Sequence, residues 1–267
     1  MHAATQPAVT IIGGGRVGLA LAAMGDGSDV VIRRGEAISG PPGPILIATR
    51  NDDLQAIVDA TPAERRQDLV FMQNGMLQPW LEGQGLGNNT QVLVYFAVAK
   101  KGDAPGDGKT NVNPEGLTAA HGLHADAVAA RLHSGGLSCK VLEKPAFQQA
   151  MLEKLVWISA MMAVGAEHGV TVGEVESTYA SQVLPLMMEL LDAGCAAMGI
   201  SPAAGAMDRL MAYARSVAHF PTALKEFKWR NGWFHGLTLQ AASQGKADPC
   251  PLHTALLLRL KAIPAAA

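Results

Sequence analysis

The sequence predicts an α/β domain over residues 1–145, followed by an all-helical domain over residues 146–267. In the first half, short apolar runs alternate with loops and helical segments, which is typical of a parallel sheet with helical crossovers. In the second half, long segments have the helical period and are rich in alanine and methionine, so they predict packed helices. With 267 residues and 49% apolar residues, the chain can form two ordinary domains with sizeable cores.

The individual elements follow from the same patterns. Buried strands are predicted at residues 9–12, 30–32, 45–48, 69–72 and 92–98. Helices are predicted at 19–24 and 53–60, and Thr61 before Pro62 predicts a further helix start with Thr61 as its N-cap. After a polar, glycine-rich loop at 100–116, the pattern predicts a strand, a helix at 125–132 and a strand at 138–141. The long helices of the second half are predicted at 148–167, 179–198 and 202–217.

A glycine motif directly follows the first predicted strand. Residues 9–18 read VTIIGGGRVG, so that three glycines have the spacing G-x-G-x-x-G. In this motif the first glycine allows a tight turn, the second lets the backbone approach a pyrophosphate, and the third lets the helix pack close to the strand. Because a strand precedes the motif and a helix follows it, we predict a Rossmann-type dinucleotide-binding domain and not merely a glycine-rich turn. The predicted cofactor-binding residues are Gly13, Gly14, Gly15, Arg16, Val17 and Gly18.

Two arginines follow the second predicted strand, about twenty residues after the glycine motif. An acidic residue there would bind the ribose of NAD, whereas Arg33 or Arg34 can pair with the 2′-phosphate of NADP. Glu36 lies close by, and a solvated basic turn is the alternative interpretation. We therefore predict NADP(H) as the cofactor.

Charge and composition argue against several classes of function. The net charge of −2 and the lack of a basic cluster predict no nucleic-acid partner. The longest apolar run, at residues 155–166, is too short to span a membrane, and residues 1–7 lack the pattern of a signal peptide. Cys139, Cys195 and Cys250 show neither metal-ligand spacing nor a disulfide framework. We therefore expect a cytoplasmic protein with reduced thiols and no metal.

Three polar residues are candidates for chemistry, and each has a simpler explanation. Asn74 follows the fourth strand, whose carboxyl end should face the ligand, but Asn-Gly is also an ordinary turn. Lys154 begins an apolar helix face; it could extend its ammonium to solvent, or lie desolvated with a lowered pKa suited to proton transfer. Glu226 precedes a charged, aromatic stretch and predicts a helix start, which could simply lie on the surface.

Taken together, these motifs resemble those of the ketopantoate reductases, the NADPH-dependent 2-dehydropantoate 2-reductase family. They occur in the same order along nearly the whole chain. Besides the glycine motif, the resemblance rests on a basic residue near Arg33, the turn Asn74-Gly75-Met76, and the pair Lys154-Leu155. It also rests on Glu226 five residues before Asn231-Gly232.

The resemblance implies a role for each matching residue. Lys154 would protonate the alkoxide as hydride reaches the carbonyl carbon, and Asn74 would orient that lysine and contact the nicotinamide. Glu226 would hold a substrate hydroxyl. Arg50 corresponds to a lysine near the cofactor, and Ser216 to a serine that helps bind the substrate carboxylate. A place in pantothenate biosynthesis, and a homodimer formed through the helical domain, are implied in the same way.

The chain departs from this family in its substrate-binding residues. Ile158 and Met162 stand where the family has asparagines that hydrogen-bond the substrate. An apolar lining favours a substrate with fewer hydroxyls than ketopantoate. Our leading hypothesis is an NADPH-dependent reductase of a 2-keto acid or a related small carbonyl compound. The alternatives are a 3-hydroxy acid or imine dehydrogenase of similar two-domain plan, and a non-catalytic NADP-binding sensor.

Overall fold

The computed structural model describes residues 8–264, which form two compact units. The first contains the described residues up to Lys109 together with Asn113–Phe147, and the second contains Thr110–Val112 and the described residues from Gln148 onward. The segment at residues 1–7, where the sequence lacks a signal-peptide pattern, lies outside the described residues.

The first unit is built on a seven-stranded sheet, which confirms the predicted Rossmann-like fold class. The strands are β1 (Thr10–Ile12), β2 (Val30–Ile32), β3 (Ile45–Ile47), β4 (Leu69–Phe71), β5 (Thr90–Leu93), β6 (Ala119–His121) and β7 (Lys140–Val141). Their order is β2-β1-β3-β4-β5-β6-β7, and β6 pairs antiparallel with β5 while the other neighbours pair parallel. No helix connects β5 to β6, and a chain that returns without a crossover runs antiparallel.

Four α-helices accompany this sheet: α1 (Arg16–Ala23), α2 (Leu54–Ala60), α3 (Gln78–Gly83) and α4 (Ala125–Ser134). Residues from β1, β3, β4 and β5 and from α1 and α4 form a common apolar core. A buried ion pair between Asp29 and Arg131 joins the beginning of β2 to α4, and the same carboxylate accepts the backbone N–H of Val9 at 2.9 Å. These contacts hold the edge of the sheet against its covering helix.

The predicted role of Thr61 as the N-cap of a following helix is wrong. The Thr61 hydroxyl donates to the carbonyl of Ile57 at 2.6 Å, so this side chain completes the end of α2. The following residues, Ala63–Asp68, form a 3-10 helix that leads into β4. Serine and threonine hydroxyls can bond either forward, as an N-cap, or back to the preceding turn, and here the backward bond is made.

The second unit is helical, as predicted. Its helices are α5 (Lys144–His168), α6 (Val172–Thr178), α7 (Ala180–Met198), α8 (Ala206–Ser216), α9 (Asn231–Ser243) and α10 (Pro251–Arg259), of which α5 begins in the first unit. The short helix α6 begins with a capping box formed by Thr171 and Glu174. Glu226 does not begin an α-helix directly: it has a left-handed φ of 50° and precedes a 3-10 turn, Phe227–Trp229, so that α9 starts only at Asn231.

The three cysteines are buried and carry free thiols. Burial raises the pKa of Cys139 and Cys250 to about 12, and it also raises the pKa of Cys195. Within residues 8–264 no group of histidine, cysteine and acidic side chains is arranged to hold a metal ion. Over the same residues, every helix is too short or too polar to cross a lipid bilayer.

Candidate functional site

The glycine motif forms the turn between β1 and α1, and two of its glycines are required by backbone packing. Gly13 has a φ of 113°, and a Cβ there would lie 2.7 Å from the carbonyl oxygen of Ala48. A Cβ at Gly18 would lie 1.8 Å from the carbonyl oxygen of Gly13, so only glycine lets α1 approach the turn this closely. Gly15 differs, because a Cβ there would meet no atom within 4 Å.

A cleft of about 1080 Å³ opens over this turn, in the first unit. Its lining includes most of the predicted cofactor residues, namely Gly13, Gly14, Gly15, Arg16, Val17, Arg33, Arg34 and Arg50. Gly18 lies beneath the turn and is buried, and Asn74 is not part of the lining. The free space above Gly15 and the N–H groups at the start of α1 suit a pyrophosphate, so the residues present fit a dinucleotide.

The predicted phosphate-binding arginines lie at one side of this cleft and are exposed. The guanidinium of Arg34 lies 3.6 Å from the carboxylate of Asp53, and 92% of its side chain is accessible. The backbone N–H of Arg33 donates to the carboxylate of Glu36 at 2.6 Å, which folds the acidic side chain back onto the turn. The Arg33 side chain has no acceptor within the described residues and is therefore available to an anion.

Asn74 lies in the turn after β4 and is half-buried. Its carbonyl accepts a hydrogen bond of 3.0 Å from the side-chain amide of Asn51, which is 3% exposed. The neighbouring Gln73 donates to the carbonyls of Ile47 and Thr49 at 2.8 and 3.2 Å. Asn51 and Gln73 therefore fix this turn to the end of β3. Sequence reasoning missed both, although Gln73 directly follows a predicted strand and Asn51 comes three residues after the end of another.

Lys154 lies in the third turn of α5 and is buried, with 8% of the residue exposed. The alternative in which its ammonium extends to solvent is therefore wrong. Desolvation lowers the pKa of Lys154 to about 7, and the positive charge of Arg230 adds to this effect. One and two turns later, Ile158 is buried and Met162 is half-buried, and both share the helical face of Lys154. This face thus carries a proton donor or acceptor beside apolar side chains.

Glu226 is connected to Lys154 through Arg230. The Arg230 guanidinium forms an ion pair with the Glu226 carboxylate, and the two side chains are 10% and 27% exposed. Asn231, which follows, is buried, and its side-chain oxygen lies 2.9 Å from Nε2 of His253. Lys154, Arg230 and Glu226 therefore form a charged cluster in the helical unit, which we call the lysine cluster.

Comparison of the sequence alone finds no match, either to a family model or to a curated protein. Comparison of the structure does. A ketopantoate reductase from Ralstonia eutropha aligns over 96% of this chain and 99% of its own, with a TM-score of 0.65 and 15% sequence identity. A dimeric ketopantoate reductase from Staphylococcus aureus gives 0.63 and 20% over the same shares of the two chains. D-Mandelate dehydrogenase, solved with NADH and anilino(oxo)acetate, gives 0.65 and 14%, again over 96% and 99%.

The fold is that of the ketopantoate reductases. This confirms the predicted resemblance over nearly the whole chain at the level of architecture. At 20% identity or less, the likeness concerns the fold alone, and the roles of individual residues rest on the geometry of this chain.

The remaining predicted residue, Ser216, lies at the end of α8 and is exposed. Its hydroxyl donates to the carbonyl of Tyr213 at 2.8 Å, within the same helix. The predicted residues thus fall into two groups. The cofactor residues and Asn74 belong to the first unit, whereas the lysine cluster, Ile158, Met162 and Ser216 belong to the second. Arg230 was missed by sequence reasoning, although a basic residue directly before Asn231-Gly232 was its visible signal.

Proposed function

We propose that this protein is an NADP(H)-dependent reductase of a 2-keto acid. The observation that carries the proposal is the buried Lys154, whose pKa is lowered to about 7, in a chain whose other unit has an open dinucleotide cleft. A general acid is most effective when its pKa lies near the working pH. A structural lysine would be expected to expose its ammonium and keep its ordinary pKa.

The cofactor would bind in the cleft over the glycine turn. The backbone around Gly15 would receive the pyrophosphate at the start of α1, and Arg33 and Arg34 would pair with the 2′-phosphate. Arg50, also exposed in the cleft, would add to the binding of the phosphates. When bound, the reduced nicotinamide supplies the hydride.

The residues of this chain would supply the proton and the orientation. As the carbonyl carbon is reduced, negative charge develops on its oxygen, and the Lys154 ammonium would stabilise that charge and donate a proton to the oxygen. Asn74, in a turn fixed by Asn51, would contact the nicotinamide. Glu226 would act in substrate binding, and Ser216 would need to break its bond to Tyr213 to contribute.

The substrate would carry an apolar group on its carbonyl carbon. Ile158 and Met162 offer no hydrogen bond, and a pocket without hydrogen-bonding groups gives no advantage to a hydroxylated substrate such as ketopantoate. D-Mandelate dehydrogenase, which shares the fold, was solved with anilino(oxo)acetate, a 2-oxo acid that bears an aromatic ring. We therefore place apolar 2-keto acids ahead of ketopantoate, the substrate that a role in pantothenate biosynthesis would require.

We further propose a homodimer that acts in the cytoplasm. The support for the dimer is that the Staphylococcus aureus reductase, which has this fold, is described as dimeric. Light scattering of the purified chain decides it, with a mass near twice 27.9 kDa as the expected result.

The proposal is tested by NADPH turnover with a panel of 2-keto acids, with Lys154→Ala as the decisive variant. This variant should lose about two to four powers of ten in kcat, the usual contribution of a positioned acid or base, while NADPH affinity changes little. Lys144→Ala, at the exposed start of the same helix, is the matched control and should keep full activity.

Two outcomes would count against the proposal. Full reductase activity in Lys154→Ala would remove the proposed acid. If the unaltered protein binds NADPH tightly but reduces none of the keto acids, a non-catalytic sensor becomes the better interpretation.

A further inference from the structure

Arg230 has a position that an arginine seldom occupies without a specific partner. It lies between the 3-10 turn Phe227–Trp229 and the start of α9, and nine-tenths of its side chain is buried. Long charged side chains are almost never this deeply buried unless they are paired. The partners of its guanidinium therefore indicate what the side chain does.

The protein satisfies only part of this guanidinium. Within the described residues, the only acceptor of its hydrogen bonds is the Glu226 carboxylate, which is bonded to a single nitrogen, Nη2. The Nε atom is buried and has no hydrogen-bond partner. A buried donor without an acceptor is unfavourable, and an added carboxylate would remove that cost.

The charges around Arg230 also favour an anion. Arg230 acts on Lys154 strongly enough to contribute to the lowered pKa of that lysine. Two basic side chains therefore lie near each other in a largely buried place, with Glu226 as the carboxylate paired to Arg230. A carboxylate added beside Arg230 would lower the cost of burying its charge.

The ion pair with Glu226 does not by itself explain why the Arg230 side chain is buried. Glu226 is more exposed than Arg230, and it occupies a left-handed backbone conformation that non-glycine residues rarely adopt. By contrast, the other deeply buried arginine, Arg131, donates through both Nη1 and Nη2 to Asp29 and also to a backbone carbonyl. The Arg131 guanidinium thus finds its acceptors within the protein. The Arg230 guanidinium is bonded to one carboxylate, and its buried Nε–H has no hydrogen-bond partner.

We propose that Arg230 binds the carboxylate of the 2-keto acid, and that Glu226 orients the Arg230 guanidinium instead of holding a substrate hydroxyl. This inference rests on the proposed function, because it specifies how the substrate of that reaction is recognised. It makes the carboxylate, and not a hydroxyl, the group that the helical unit selects. An arginine suits this task because its planar donors match a carboxylate, which a lysine ammonium does not.

The experiment is a calorimetric titration of the full chain, saturated with NADPH, with oxamate and with its neutral amide, oxamide. Oxamate has the 2-oxo carboxylate of a substrate but is not reduced, so the measurement does not depend on turnover. The unaltered protein should bind oxamate at least tenfold more tightly than oxamide. In Arg230→Met this preference should disappear, with the oxamate dissociation constant raised tenfold or more and that of oxamide unchanged.

Two further variants separate recognition from folding. Arg230→Lys keeps the positive charge but loses the planar donors, and it should recover only part of the oxamate affinity. Arg259→Met removes an exposed arginine that is ion-paired with Glu167 in the same unit, and it should bind oxamate like the unaltered protein.

The inference fails if Arg230→Met binds oxamate normally, if it loses oxamate and oxamide equally, or if the unaltered protein does not prefer oxamate. Failure of the proposed function looks different. In that case oxamate binding still depends on Arg230, but no 2-keto acid is reduced.

Discussion

The glycine turn of the sheet unit and the lysine cluster of the helical unit are built in opposite ways. The glycine turn is shaped by backbone contacts, and its close packing depends on side chains that are missing. The lysine cluster depends on charged side chains that are present, two of them buried and one half-buried. A substitution in the glycine turn therefore adds a side chain that clashes or fills space, whereas a substitution in the lysine cluster removes a charge.

The largest expected effects come from the glycine turn, where two substitutions should separate binding from folding. Gly15 has an extended backbone conformation and open space beside it, so Gly15→Val should fold normally while filling the space needed by the pyrophosphate. NADPH affinity should fall at least a hundredfold in a calorimetric titration, with an unchanged melting temperature.

Gly18→Ala should instead lower the stability of the fold. Its Cβ would overlap the carbonyl oxygen of Gly13, so α1 must move, at a cost of about 1–3 kcal/mol of unfolding free energy. A lower denaturation midpoint is the expected result. If Gly18→Ala is as stable as the parent, the close packing of α1 does not require glycine. If Gly15→Val binds NADPH normally, the space beside Gly15 does not receive the pyrophosphate.

The same contrast explains which features could be predicted from the sequence and which could not. The glycine spacing and the strands around it predicted the Rossmann-type unit and the turn between β1 and α1, because backbone constraints leave a short-range pattern. Thr61 was wrongly interpreted, since its hydroxyl can bond in either direction along the chain and only the folded structure decides. Arg230 was missed because its meaning depends on burial beside Lys154, 76 residues earlier, and no local pattern records that proximity.

A smaller effect is expected at the arginines beside the glycine turn, where side chains contribute to a region otherwise made of backbone. Arg33→Ala should weaken NADPH binding by about tenfold to a hundredfold, which corresponds to about 1.5–3 kcal/mol for hydrogen bonds to a charged group. NADH has no 2′-phosphate, so its affinity on the same variant is the internal control. Equal losses for both cofactors would show that Arg33 has no specific phosphate role.

The smallest effect is a shift of the pH profile in the lysine cluster. The pKa of Lys154 is lowered to about 7, so the protonated acid predominates below that pH. The kcat/KM for reduction should be level below about pH 7 and fall about tenfold per unit above it. Arg230→Met removes one of the two causes that lower this pKa and leaves the Glu226 carboxylate nearby, so its profile should break at a higher pH. A profile that stays level up to pH 9 would exclude Lys154 as the acid.

The buried cysteines make it possible to time the opening of each unit. A thiol reacts only as an exposed thiolate, and the raised pKa values of Cys139, Cys195 and Cys250 keep the folded protein almost unreactive at neutral pH. Alkylation must therefore wait for a local or global opening. Cys139 lies in the sheet unit and the other two lie in the helical unit. Peptide-resolved labelling rates would thus show which half of the chain unfolds first, with no probe added to the protein.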